Sequence, residues 1–475
     1  MRAWYNYLGF TEDTAMMTNR HNRKFDRMIF YTIEQLVPED HLVRKLEDAI
    51  DWSFIYGKVL HLYSTNGRPS IDPVVLVKMI VIDKVFGINS MRKTCKELEV
   101  NLAYRWFIGY DIEEKIPNYS TWSQNYIRRY GESDLFSQFF EAVLEEVINN
   151  GFLDLTTVFG DSTHMKASAN KNKYTKNEVE LVRKKYEDEL LEEINQDREW
   201  IGKKAVDSIE RAEYTFDEET GEQIEVIKTK EVKVSTTDPD AGDFHKGEHE
   251  KCFAYSHSVF CDRKGFALAI HTEPGNVHDS VSFFPVYESL LGRFGDKIEN
   301  VCLDSAYRTP SITREIINSG KKPYLPYKRP MTKEGFFKKY EYVYDEEYDV
   351  YLCPNNKQLT YTTTNRKGYR EYKSDPKDCR NCPFINQCTH SKNQTKVIHR
   401  HLWEKYLEQS EEIRCTDQFK EIYPQRKQTI ERVFADDKER HCLRFTRVRG
   451  LKKNRHNASI IFACHNLERL GRWKA

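Results

Sequence analysis

The sequence predicts an α/β fold: a mixed sheet flanked by helices, preceded by an all-helical N-terminal domain and interrupted by two insertions. Three observations predict it. The apolar period is helix-like over residues 28–150 and strand-like after residue 150. Past that point the order reads strand, hairpin, helix, strand, helix, strand, which a mixed sheet with helices on it accommodates. Two polar stretches, 172–234 and 331–400, break that order. The predicted divisions are 1–150 (helical domain), 151–330 (first part of the core, with a charged insertion at about 172–234), 331–400 (Cys-containing insertion) and 401–475 (remainder of the core).

In the helical region, Asp72 is a candidate N-cap with Pro73 at the first helical position. The turn Gly67–Pro73 precedes that helix, and Phe86–Ser90 breaks it from the next, which runs from Ser90 through Leu98. Asn118–Trp122 opens another, running through Arg128 and Arg129. Short helices with tight turns and exposed bases suit a DNA-binding module as well as a plain helical bundle. In the core, Leu153–Asp161 is rich in β-formers and ends at a carboxylate. Cys252–Cys261 and Phe266–Thr272 flank the turn Asp262–Gly265 as a hairpin. Val277–Ser280 opens a helix ending near Gly292, Asn300–Asp304 is a short strand ending in a second carboxylate, Ser311–Asn318 is helical and Pro323–Pro326 is a strand. The charged insertion begins with a helix, Glu178–Trp200, and continues to a hairpin tip at Asp217–Gly221. The second insertion reads as loop-rich.

Composition excludes several classes. The longest apolar run, Pro73–Ile88, carries Lys78, Asp83 and Lys84, so no membrane span is expected. The N-terminus lacks the pattern of a secretory signal, so the eleven cysteines are expected to be reduced thiols and not a disulfide frame. Lys plus Arg equals Asp plus Glu, but the charge is uneven. Glu421–Ala475 holds 14 bases against 6 acids, which favours an anionic partner there. Glu178–Glu199 holds nine acids against four bases and is expected to be a solvated projection or a partner surface, away from any DNA path.

Asp161 and Asp304 each close an apolar strand. Strand ends on one sheet edge converge, and two carboxylates there form a hard-oxygen site for Mg²⁺ or Mn²⁺. A third acid, Glu431, lies in Tyr423–Lys438, expected to be a helix with Ile430, Val433 and Phe434 on its apolar face. Lys438 lies two turns beyond Glu431 on the same face.

With these residues the chain resembles the bacterial insertion-sequence transposases of the DDE type, over nearly its whole length. Asp161 in Val158–Thr163 and Asp304 in Leu303–Tyr307 match the family's two aspartates. Tyr423, Arg426, Glu431 and Lys438 match its Tyr, Arg, Glu, Lys signature. Four residues separate Arg426 from Glu431 where three are usual, so the Arg role lies open between Arg426 and Lys427. Pro274–Asp279 also resembles a stretch of the family. The resemblance implies a ribonuclease H-like core and catalysis by Asp161, Asp304 and Glu431 with two Mg²⁺ or Mn²⁺ ions. It implies cleavage at the ends of an insertion sequence and joining of the 3′-OH ends to target DNA. The implied partner is double-stranded DNA, as terminal inverted repeats and target, with the chain dimeric on paired ends. The implied location is the bacterial cytoplasm, at the nucleoid. Tyr423, Arg426 and Lys438 would contact sugar or phosphate. Alternatives are a metal-dependent nuclease that cuts without joining, and an inactive or domesticated DNA-binding protein.

Cys353, Cys379, Cys382 and Cys388 follow the spacing C-x25-C-x2-C-x5-C. Four thiolates suit tetrahedral Zn²⁺ in an insertion lacking its own core; an iron–sulfur cluster and unliganded thiols are the alternatives, and His390 is a substitute ligand. Arg444, Arg447, Arg449, Lys452, Lys453 and Arg455 form a basic run, either a solvated face or a phosphate-backbone contact. His164, Lys166 and Asn170 either touch DNA or cap a turn. His278 and Asp279 either start a helix or flank the site.

Overall fold

The computed structural model describes residues 28–474 apart from 29, 65, 68, 181–185, 210–211, 217–222, 228, 247–249, 329–331 and 333. Arg68, within the Gly67–Pro73 turn, and the hairpin tip Asp217–Gly221 therefore lie outside the described residues.

The helical region comprises α1 Ile33–Leu36, α2 Leu42–Glu47, α3 Phe54–Val59, α4 Pro73–Val85, α5 Met91–Val100, α6 Leu102–Ile108, α7 Tyr119–Arg128 and α8 Leu135–Asn149. Helix α4 starts where Asp72 Oδ1 accepts the Val74 N–H at 2.7 Å, with Pro73 following the cap. Every residue from Val74 to Val85 is buried, so α4 is the central helix of the domain, and its run has no polar face for that reason. Buried Lys78 is held by Glu47 at 2.6 Å and lies over the Trp52 and Phe107 rings. The break after α4 passes through Gly87, whose φ of +66° an L side chain rarely adopts.

The rest of the chain runs β1 Thr157–Lys166, β2 Tyr174–Glu180, α9 Glu187–Trp200, β3 Ala212–Phe216, β4 Gln223–Ile227, β5 Thr229–Ser235, β6 Gly242–Lys246, β7 Glu250–Cys261, β8 Ala267–Pro274, α10 Asp279–Phe294, β9 Asn300–Cys302, α11 Pro310–Asn318 and β10 Lys322–Tyr324. The second insertion adds β11 Val343–Asp345, β12 Val350–Leu352, β13 Gln358–Thr364, β14 Tyr369–Ser374, α12 Pro376–Arg380, α13 Ile385–Cys388 and β15 Val397–His401. The chain closes with α14 Glu404–Arg414, α15 Asp417–Ile422, a 3₁₀ turn Tyr423–Lys427, α16 Ile430–Glu439 and α17 Leu451–Lys474.

The core sheet has the order β10-β9-β1-β7-β6, with β8 also paired to β7. Strands β7 and β8 are antiparallel neighbours, β7 is antiparallel to β1, and β9 and β10 continue parallel to β1. The fold is thus mixed α/β with a helical N-terminal region. One apolar core runs from α2, α4 and α8 through the sheet to α17. Helix α17 is fixed to β8 by Asn466, whose amide both accepts from Ala267 N and donates to Ala267 O at 2.8 Å. Among the described residues no helix is long and apolar enough to cross a membrane.

Four expectations change. Asp161 is not at a strand end: β1 continues to Lys166 because Asp161–Lys166 stay paired with Ala254–Val259 of the long strand β7. Glu178–Glu180 belong to β2, paired with β5, and the acidic helix starts only at Glu187. That helix is not a free projection. Its Leu190 and Ile194 pack on Val206 and Trp403, and Asp197 takes a bidentate pair from Arg370 at 2.5 and 2.6 Å. The second insertion is a five-stranded antiparallel sheet with its own core of Tyr342, Tyr351, Leu359, Tyr372 and Ile398. A core built mostly of tyrosine escapes hydropathy, because each ring buries its face while its hydroxyl finds a polar partner, as Tyr372 does on Asp349 at 2.6 Å.

Gly160 sets the floor under Asp161. A Cβ there would lie 2.5 Å from the Phe260 ring and 2.6 Å from Leu303 Cδ2. Gly160→Val is expected to overpack this contact and cost about 1–3 kcal/mol, read as a lower midpoint in chemical denaturation.

Candidate active site

Asp161 and Asp304 come together. Asp161 sits in β1; Asp304 follows β9, which is parallel to β1 and hydrogen-bonded to it. Asp304 caps a 3₁₀ turn, Ser305–Tyr307, by accepting from Ser305 N at 2.6 Å. The turn returns Tyr307 to β1, where its hydroxyl meets Ser162 Oγ at 2.6 Å; Ser162 Oγ also meets Ser258 Oγ at 2.8 Å. This chain of hydroxyls ties the two acid-bearing segments together. Arg426 then bridges the acids, donating to Asp161 Oδ2 at 2.8 Å and lying 3.7 Å from Asp304 Oδ1. Burial pushes the Asp161 carboxyl up to about 6, against the pull of Arg426 and of the Ser162 N–H; the Asp304 and Asp279 charges push the same way as burial.

The signature helix is not continuous. Tyr423–Lys427 is a 3₁₀ turn and α16 begins only at Ile430, with Thr429 off helical geometry at φ −108°, ψ −102°. Thr429 Oγ1 donates to the Gln425 carbonyl at 2.8 Å, a side-chain bond that competes with the helix ladder. The extra residue between Arg426 and Glu431 falls at this break. Arg426, buried, therefore faces the two acids, while Lys427 is exposed. Its guanidinium is spent on carboxylates and not presented to solvent, unlike the phosphate contact expected from sequence. Tyr423 packs beside it, with the guanidinium 5.9 Å from its ring and Phe419 stacked on that ring at 5.0 Å.

Glu431 is exposed in the first turn of α16, a helix that packs on β1. It makes no ion pair with a described residue. Lys438, two turns on, lies near enough to Asp161 to feel its charge; burial lowers its ammonium pKa, helped by Lys246 and Arg444. A cleft of about 590 Å³ opens there, lined by Ser162, His164, Phe244, Lys246, Lys438 and Arg444. The His164 ring stacks on Phe244 at 3.7 Å, and Lys166 pairs with Glu250 at 2.9 Å. Phe244 and Lys246 were not singled out in the sequence. Their signal is a short aromatic and basic stretch, Asp243–Lys246, emerging from the charged insertion into the core sheet.

The remaining candidates separate. Arg444, Arg447, Arg449, Lys452, Lys453 and Arg455 are all exposed around the start of α17; Lys452 pairs with Glu132 and Arg449 donates to the Ser168 carbonyl at 3.1 Å. Asn170 caps a turn by accepting from Asn172 N at 2.9 Å. His278 caps α10 by accepting from Ser280 N at 3.1 Å, which sets Asp279 in the first turn and within electrostatic reach of Asp161. Of the four insertion cysteines, Cys388 feels the charge of Cys379 and Cys353. Cys353 Sγ accepts the Lys357 N–H at 3.4 Å, and Cys382 N donates to the Cys379 carbonyl at 3.2 Å. His390 packs edge-on against Phe336.

Two family models match. One, described as Transposase domain (DUF772), matches residues 31–128, the helical region from α1 through α7. The other, described as Transposase DDE domain, matches residues 352–471, which include the cysteines, Arg426, Glu431 and Lys438. Asp161 and Asp304 lie between the two matches. Comparison with curated proteins and with solved structures gives no match. The match to a transposase domain near one end and to a DDE transposase domain near the other supports the resemblance to the insertion-sequence DDE transposases.

Proposed function

We propose that this chain cuts DNA at the ends of its insertion sequence and joins the freed 3′-OH ends to target DNA by phosphoryl transfer. Asp161, Asp304 and Glu431 are the acids assigned to two divalent ions, Mg²⁺ or Mn²⁺. The observation that carries the reading is the pair of aspartates drawn onto one arginine, with Lys438 within electrostatic reach of Asp161 and Lys246 near Lys438. Two juxtaposed carboxylates that need a cation, in a donor set of hard oxygens, fit Mg²⁺. The order of the core sheet, an antiparallel hairpin on one side of β1 and two parallel strands on the other, supports a ribonuclease H-like core. When bound, the ions polarise the scissile phosphate and activate the attacking oxygen.

The chain's own residues do the rest. Arg426 holds the two aspartates until they gain another cation; its buried Nε has no hydrogen-bond partner among the described residues. Lys438 and Lys246 neutralise phosphate oxygens flanking the reacting group. The Ser162–Tyr307 bond keeps the aspartates at fixed separation, which is most of what this chemistry asks of a protein. The helical region and the basic run from Arg444 to Arg455 grip terminal inverted repeats, and two chains pair the two ends. Such work belongs at the bacterial nucleoid, in the cytoplasm.

Incubating the full chain with DNA carrying its flanking inverted repeats tests this. Mg²⁺-dependent nicking at the repeat ends, followed by joining to a target plasmid, is expected. Nicking without joining supports a nuclease instead, and binding without nicking a domesticated protein. Lys438→Ala and Lys246→Ala are each expected to weaken end binding uniformly across sequences and to reduce the slope of log affinity on log salt by about one.

A pH dependence follows from Asp161. Its folded pKa is about 6 against an ordinary 3.8, so the folded chain holds this proton more tightly than the unfolded one. Its contribution to stability is therefore full below the ordinary value and is lost as pH rises through about 6. Mg²⁺ reverses this by favouring the carboxylate. Thermal scans are expected to show Mg²⁺ raising the melting temperature more at pH 7.5 than at pH 5. Nicking at limiting Mg²⁺ is expected to fall as pH drops through about 6.

Cys353, Cys379, Cys382 and Cys388 are assigned to a structural Zn²⁺ on the chemistry and spacing of their thiols; their sulfurs would have to draw closer to bind it. Cys379→Ser with Cys382→Ser is expected to lose that zinc, read by elemental analysis.

A further inference from the structure

A second cluster lies where α16 meets α17. Asp437 is on α16, His441 just past its end, and His465 and Glu468 are one turn apart on α17. All four side chains are buried, Asp437 completely. Asp437 and Lys438 are adjacent in sequence, so they project about 100° apart around the helix. Lys438 turns to Asp161 and Asp437 to α17.

The two histidines are held by the same kinds of partner, through opposite nitrogens. His465 Nε2 lies 3.0 Å from the Gly265 carbonyl, and His465 Nδ1 2.8 Å from Asp437 Oδ1. His441 Nδ1 lies 3.4 Å from the Lys84 carbonyl, and His441 Nε2 3.3 Å from Glu468 Oε2. Each ring thus has its outer nitrogen on a backbone carbonyl and its inner nitrogen on a carboxylate. A carbonyl on the outer nitrogen is what fixes tautomer and ring plane in metal-ligating histidines. One ligand atom from each of Asp437, His441 and His465 lies within 4.8 Å of the other two. Asp437 Oδ2, fully buried, has no hydrogen-bond partner among the described residues. Leaving a buried carboxylate oxygen unmet is costly, and a cation between these side chains would meet it.

We propose that Asp437, His441 and His465 hold one transition-metal ion of the Zn²⁺ class, beside Glu468, a second carboxylate that also takes Arg440 and Arg472 on its other oxygen. Two imidazoles and a carboxylate suit Zn²⁺ better than Mg²⁺, which takes oxygen ligands. The site is separate from the acidic one and does not depend on the reaction proposed above. It pins the C-terminal end of α16 to α17 and, through the Lys84 carbonyl, to α4 of the helical region. It therefore joins the helix bearing Glu431 and Lys438 to both neighbours at once.

The test uses the full chain, loaded with Zn²⁺ and desalted. Elemental analysis of the Cys379→Ser, Cys382→Ser chain is expected to find one zinc, and adding His441→Gln to that background is expected to remove it. Zinc retained after His441→Gln overturns the proposal. So does a double-cysteine chain with no zinc, which would make the cluster a set of imidazolium–carboxylate pairs needing no ion. Since these variants can fail to fold, zinc-edge X-ray absorption on the wild-type chain is the second measurement. A nitrogen and oxygen shell with imidazole outer scattering is expected beside the sulfur shell of the cysteine site; a shell of sulfur alone, or no zinc, overturns the site.

Discussion

Asp161→Asn is expected to abolish Mg²⁺-dependent nicking, by about 10²–10³-fold or more, while leaving affinity for the inverted repeats within a few-fold of wild type. The two effects separate because Asp161 lies at the floor of the site, whereas the exposed bases from Arg444 to Arg455 lie around the start of α17. Asn keeps the volume and still accepts the Ser162 N–H, so the loss is one of charge and not of packing. Removing that charge also leaves Arg426 with Asp304 alone, at 3.7 Å. Asp304→Asn and Glu431→Gln are expected to behave alike, because groups that act on one phosphate act as a unit and their losses do not add. Nicking assays on labelled end DNA, paired with gel-shift titrations at fixed salt, read both quantities. A variant of any of the three that nicks like wild type removes that residue from the site.

Phe260→Ala is expected to be among the most destabilising single changes, at about 3–5 kcal/mol. Phe260 is almost fully buried, packs on Phe283 and Tyr287 of α10, and fills the space that Gly160 leaves open. Removing it leaves a cavity against Gly160, the residue before Asp161 in β1. Equilibrium unfolding in guanidinium reads the stability loss. Where the variant is still folded, nicking is expected to fall further than stability alone explains, since β1 loses the packing that sets the height of its carboxylate. A loss of stability below about 1 kcal/mol would mean that this face of the sheet collapses onto the gap.

Two acids of the candidate site are legible in the sequence. Asp161 and Asp304 stood out because each follows a short apolar run, and the cap at Asp72 and Pro73 was readable from residue type alone. The break at Thr429 was not. Its signal, one extra residue between Arg426 and Glu431, read as a blemish in a motif, whereas the structure uses it to turn Arg426 inward. The tyrosine core of the second insertion was missed because tyrosine scores as polar while packing as an apolar ring. Docking of the acidic helix was missed because Arg370, its partner for Asp197, lies 173 residues on. Long-range pairing of that kind has no local period to betray it. The cluster of Asp437, His441 and His465 was hidden for the same reason, being assembled across two helices whose own patterns look ordinary.

Crystals of the chain on its end DNA, soaked in Mn²⁺ and measured at the manganese edge, test the central claim most directly. The account predicts anomalous density bounded by Asp161, Asp304 and Glu431, with Arg426 withdrawn from the aspartates. Manganese elsewhere, or between the aspartates with Glu431 still turned to solvent, would contradict it.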